Sequence, residues 1–166
     1  TQGYKIVEDG QQYYDMKDRY NLPSSVSKRL VRQFNQSAAM GFLPPLRDAM
    51  YYVDLLHRKH GYTFHMITAL SNNEHAQLLR IQNCKKLFGE TAFTKFIFCD
   101  TGEDKDEVLE PYRDSGLIWI EDKLLNAQTG DRLGLESIMV EHAHNMNNDE
   151  FPTFATWKDI YEYVAG

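Results

Sequence analysis

The sequence is short of several things, and each shortage removes a class of protein. It holds two cysteines, Cys84 and Cys99. That is too few for the disulfide framework of a small secreted domain, so two reduced thiols in a cytoplasmic setting is the expectation. No window is apolar for long enough to span a bilayer, and the N-terminal residues lack the apolar run of a signal peptide. Positive charge is scarce too, since 18 Lys and Arg against 24 Asp and Glu leave a formal charge of -6. A general binder of polymeric nucleic acid carries a basic patch, so that class is set aside, together with a membrane partner. A small nucleotide ligand survives these exclusions. No internal repeat or low-complexity tract is visible.

What is present is informative by its order. The 166 residues, 42% of them hydrophobic, suffice for one domain with a real core. Apolar runs at 64–68, 96–99, 117–120 and 137–140 show little alternation, which suits strands buried on both faces of a parallel sheet. Helical patterns separate them. One runs from Pro44 and Pro45 to about residue 60 and is closed by Gly61. Others cover 73–88, 105–113 and 124–128, and a closing helix over 157–164 puts Trp157, Ile160 and Val164 on one side. Strands alternating with helices predict parallel α/β packing. Before residue 42 the chain is more polar and richer in tyrosine. There the pattern predicts a short strand at 4–8, a helix over 11–20 and a second helix over 26–40, ended by Gly41.

The stretch 117–126, LIWIEDKLLN, carries the sharpest chemical signal. Four apolar residues are followed by Glu121 and Asp122, and then by a helical pattern. Ligands of open α/β sheets bind outside the carboxyl ends of the strands, and a hard cation takes carboxylate oxygens. Equally, two acids suit the first turn of the following helix through its dipole. Thr68 ends an earlier predicted strand, and Lys105 heads a predicted helix. A hydroxyl, an ammonium and an acidic pair around one crevice would suit a phosphoryl group.

Two further groups stand out. His142 and His144 alternate at a predicted strand end, so both imidazoles could face one way. They are too few for a zinc site and read most simply as loop histidines, with His144 or Asn145 at a substrate mouth as the variant. Tyr13, Tyr14, Tyr20, Tyr51 and Tyr52 either stack on a nucleobase or pack the N-terminal helices against the core.

From residue 42 onward the chain resembles the haloacid dehalogenase-like (HAD) phosphohydrolase superfamily, in particular its nucleotidase-like and small phage or bacterial members. MITALSNN resembles the second motif of that family, KDEVLEPY the third, and WIEDKLLNAQTG the fourth. The resemblance implies a Rossmann-like, three-layer parallel-sheet core over 42–166 and a small helical cap over 1–41. It implies that Thr68 is the phosphate-binding hydroxyl and that Lys105 contacts phosphate and nucleophile. Asp122 and Glu121 would help bind Mg²⁺, with Asn126 organising their loop. Glu121 stands where such members often have aspartate. The implied activity is Mg²⁺-dependent hydrolysis of a phosphomonoester, a small phosphorylated metabolite or a 5'(3')-nucleotide, through an aspartyl-phosphate.

The same resemblance demands an Asp-x-Asp at the end of a first strand, and none stands there. In IVEDG, Asp9 could match the second acid, but Val7 would occupy the nucleophile's place and cannot attack phosphorus. The family's first strand lies centrally, between those ending here at Thr68 and Asp122. Either residues 4–8 fill that slot or a strand preceding Thr1 does. The alternative is a catalytically inactive module that binds a phosphorylated ligand or a protein partner.

Overall fold

The computed structural model describes residues 3–166; Thr1 and Gln2, assigned above to the cap, lie outside the described residues. The apolar runs form strands. β1 (Phe64–Ala69) is parallel to β2 (Phe93–Cys99), with Thr68 opposite Phe98 and Ala69 opposite Cys99. β3 (Ile118–Glu121) is parallel to β4 (Glu136–Val140), which pairs in turn with the two-residue β5 (Thr153–Phe154). The result is a mixed α/β fold with two parallel sheets, β1-β2 and β3-β4-β5, in place of the single sheet expected. Among the described residues, β1 and β3 therefore each pair along one edge only.

The helices are α1 (Met16–Arg19), α2 (Ser24–Asn35), α3 (Ala49–His60), α4 (Glu74–Phe88), α5 (Asp106–Leu109), α6 (Leu124–Arg132) and α7 (Trp157–Ala165). Their ends follow from local chemistry. Gly61 takes the left-handed conformation (φ 75°) that closes α3. Asn73 caps α4 by accepting from the Ala76 N–H at 3.0 Å. Thr156 and Asp159 form a reciprocal capping box on α7. The Asp48 carboxylate accepts from the N–H groups of Trp157 and Lys158, which ties α7 to the start of α3. Pro44 and Pro45 lie in the lead-in to α3, not in its first turn. α6 continues four residues beyond the predicted end, through Gly130. A Cβ there would collide with Trp119 Cδ1 and lie 2.7 Å from Ser137 Oγ, so the glycine allows α6 its close approach to β3 and β4.

The predicted strand at 4–8 is not formed. The Val7 N–H donates to Arg19 O at 3.0 Å, and Tyr4 and Ile6 remain exposed. Gly10 is packed under that loop, where a Cβ would lie 2.7 Å from both Arg19 O and Ile6 Cγ2. The apolar residues of this segment thus close a local turn and pair with neither β1 nor β3. The helix expected over 11–20 shrinks to α1 preceded by a 3₁₀ turn, and that expected over 26–40 stops at Asn35 before a 3₁₀ turn over Ala38–Phe42.

Three apolar clusters hold the elements together. Met40 from the N-terminal section packs with Leu70 and Ala76. Leu109, Leu133 and Leu135 form a second cluster that receives Ile67 from β1 and Trp119 from β3, so the two sheets share one apolar floor. Ile138, Val140 and Ile160 form the third, with Ile118, Ile120 and Trp157 against it. No described helix is long and apolar enough to cross a membrane.

Both cysteines are free and buried. Burial pushes the Cys84 thiol up to about 11, against a smaller opposing pull from Arg80. Burial also raises Cys99, helped by Glu103 and opposed by Lys105. Each thiol loses its proton only above its raised value, so the reactive thiolate is scarce near neutrality. The folded protein should therefore release almost no colour from a disulfide thiol reagent at pH 8, and two equivalents once urea is added. Rapid native-state reaction would contradict this packing.

Candidate functional site

The exits of three strands meet at one place. Beyond the last residue of β2, the chain turns through Asp100 and Thr101 and reaches Lys105 at the head of α5. The Lys105 ammonium makes a charge-assisted hydrogen bond to Glu121 Oε1, at the last residue of β3. Because β2 runs parallel to β1, this contact gathers the carboxyl ends of β1, β2 and β3 on one side. Thr68 is the penultimate residue of β1 and is half-buried.

Lys105 and Glu121 are both buried, with side chains 10% and 6% exposed. A buried ion pair persists only when its remaining hydrogen-bonding capacity is met. On the glutamate side it is met in full. Asn126 Nδ2 donates to Glu121 Oε1 at 3.0 Å, and the N–H groups of Asp122 and Lys123 donate to Oε2 at 3.0 and 3.4 Å. The Lys105 ammonium also lies 5.1 Å from the Trp119 ring centroid. Trp119 in turn donates its indole N–H to Asn126 O at 3.0 Å. Glu121 is thus engaged on both oxygens in holding the lysine and the loop.

Asp122 differs. Its side chain is 43% exposed, while its carbonyl accepts from Asn145 Nδ2 at 2.9 Å and faces His144 Nε2 at 3.0 Å. The backbone is fixed from below, and the carboxylate is part-exposed with His144 Nε2 4.0 Å from Oδ2. Asn145 is buried, donates also to Val140 O, and accepts the His142 N–H at 2.7 Å, so it joins the end of β4 to the end of β3.

Among the described residues no group of three or more His, Cys, Asp or Glu side chains converges to hold a metal ion. Asp122 offers one open carboxylate, and Mg²⁺ is commonly held by one or two carboxylates with waters and phosphate oxygens completing its octahedron. The sequence does contain an Asp-x-Asp, Asp104-Lys105-Asp106, but both of its acids are exposed and Asp106 pairs with Arg132.

Several residues that hold the site carry no motif. The loop after β1 is fastened by Thr101, whose hydroxyl donates to Leu70 O at 2.5 Å, and by Asn35 Nδ2, which donates to the same oxygen at 2.8 Å. Gln36 donates to the buried Ser71 hydroxyl at 3.0 Å. The end of α2 thereby docks on the exit of β1. Tyr14 stands with its ring 5.1 Å from that of His144 and 5.5 Å from the Lys123 ammonium. Burial, then Asp122 and Glu121, push its phenol up to about 12.

No family model matches the chain. Over 106 residues it is 26% identical to a protein of Enterobacteria phage T4, described as an uncharacterized 32.4 kDa protein in the Gp30-rIII intergenic region. The similarity spans 64% of this chain and 37% of the phage protein.

Truncating Glu121 to Ala should leave the Lys105 ammonium buried without a partner, at a cost of about 3–5 kcal/mol. The double variant Lys105→Met, Glu121→Gln should recover most of that loss in urea unfolding. Parent-like unfolding of Glu121→Ala would show that the pair does not hold the loop.

Proposed function

We propose that the carboxyl ends of β1, β2 and β3 form the phosphate-handling end of a haloacid dehalogenase-type phosphomonoester hydrolase acting on a small phosphorylated metabolite or nucleotide in the cytoplasm. The observation that carries this reading is Lys105, a buried ammonium anchored by Glu121 at the mouth of parallel strands. A lysine has three donors, and one is committed to Glu121. The others would bind phosphoryl oxygens and offset charge that develops on them. Thr68 would add a hydroxyl donor from the neighbouring strand exit.

The proposal needs a nucleophilic carboxylate, and the free edges of β1 and β3 indicate where it would enter. Ile67 of β1 and Trp119 of β3 both pack on the floor of Leu109, Leu133 and Leu135. A strand from outside residues 3–166, lying between them, would join the two sheets into the three-layer core that the resemblance implies. It would also bring its last residues beside Lys105. Mg²⁺ belongs to the proposal only with such a strand, whose acids would complete a shell begun by Asp122. When bound, the ion would supply Lewis-acid stabilisation of the phosphoryl oxygens.

A second reading is a phosphate-binding module without turnover. It is favoured by the failure of residues 4–8 to form the required strand, and by Val7 at the nucleophile's place.

Orthophosphate binding and release separate the readings. The parent should bind orthophosphate, and Lys105→Met should weaken that binding about 100-fold. Phosphate release from a panel of sugar phosphates and nucleoside monophosphates should depend on Mg²⁺ and fall similarly in Asp122→Asn. Binding without release supports the module. Equal binding by parent and Lys105→Met would end both.

A further inference from the structure

A cavity of about 450 Å³ opens beside Asp122, lined by Gln11, Tyr14, Arg19, His142 and His144. That volume falls in the range of small-molecule sites. We infer that it is a subsite for a neutral planar heterocycle, the nucleobase of a nucleotide whose phosphate lies on the other side of Asp122. The inference rests on the phosphate reading above for the position of the phosphate and for nothing else.

Rings form the wall. The imidazoles of His142 and His144 lie parallel, 6° apart with centroids 5.5 Å distant. Tyr14 meets His144 edge-on at 5.1 Å and 75°. Three rings held in mutual register offer a preformed surface on which a fourth can pack, and a sugar phosphate has no flat aromatic ring to use it.

The polar groups are of mixed type. His144 Nε2 faces the Asp122 carbonyl at 3.0 Å. A carbonyl only accepts, so Nε2 carries the hydrogen, which leaves Nδ1 as the ring's other polar atom. The Gln11 amide offers one donor and one acceptor group. Arg19 keeps its charge at this wall, and its Nε and Nη2 donate to Tyr13 O at 3.1 and 2.8 Å. Its role is to hold the N-terminal segment in place. Donors and acceptors side by side against flat rings match the amide-like edge of a nucleobase, and the Asp122 carboxylate in the same lining offsets the Arg19 charge that would otherwise favour an anion.

Asp122 borders both the cavity and the proposed phosphate position. A single ligand could therefore span the two, base against the rings and phosphate towards Lys105.

Histidine Cε1–H resonances of His142 and His144, followed by NMR, test the subsite without requiring turnover. Adenosine or uridine should shift both resonances in the parent, and Lys105→Met should leave that response intact. The corresponding 5'-monophosphate should bind about tenfold tighter than ribose 5-phosphate, and Tyr14→Ala and His144→Ala should each remove the difference. Nucleoside-induced shifts in a protein that neither binds nor releases phosphate would leave the ring subsite standing and remove the phosphate reading. Equal affinity for the nucleotide and ribose 5-phosphate, or no response to nucleosides, would overturn the subsite whatever the hydrolase assay gives.

Discussion

A lysine ammonium and a glutamate carboxylate, both almost fully withdrawn from water, meet where the exit of β2 passes the end of β3. Taking two charges out of solvent is costly, and mutual attraction alone does not guarantee a net gain. The arrangement holds because Asn126 and two backbone N–H groups take up what Lys105 leaves free on Glu121. That saturation has structural consequences. It fixes the turn from β3 into α6, and it sets Asp122 with its backbone held by Asn145 and His144 and its carboxylate facing out. The same lysine lies over Trp119, whose ring is in turn packed against Gly130 and the leucine cluster. One ion pair thus links two sheets that share no strand pairing among the described residues.

The separation of those sheets is the second constraint. A strand of a parallel sheet is normally paired and covered on both faces, yet the apolar residues of β1 and β3 remain half-buried. Unpaired edges of this kind invite another strand. Ile67 and Trp119 already pack on a common floor, so an added strand would find its apolar contacts waiting and would need only to supply the backbone ladder. In the proposed enzyme that strand and the ion pair act together, one bringing a carboxylate and the other a fixed cation.

The sequence made the regular elements legible because their apolar runs are long and their punctuation is chemical: Gly61, Asn73 and Gly89 stand where α3 and α4 begin or end. It did not reveal β5, whose two residues carry no period. The segment at 4–8 misled because Ile6 and Val7 between charges imitate a strand, while the backbone of Val7 is satisfied locally by Arg19. At the site, the residue types were readable and their division of labour was not. Glu121 and Asp122 are neighbours in sequence, yet one is buried and saturated and the other is open. Lys105 and Glu121 are 16 residues apart, and nothing in one sequence announces such a pairing. Thr101 and Asn35 left no signal, and Asn145 was legible only as a candidate at a substrate mouth, because side chains that satisfy backbone carbonyls obey geometry and no motif.

The most direct test of the account is where a phosphate-shaped anion settles. Crystals of the protein soaked in tungstate would show it by anomalous scattering. The account predicts a peak within hydrogen-bonding distance of Lys105 Nζ and the Thr68 hydroxyl, at the carboxyl ends of β1 and β3. Ordered tungstate found elsewhere, with that position empty, would contradict it.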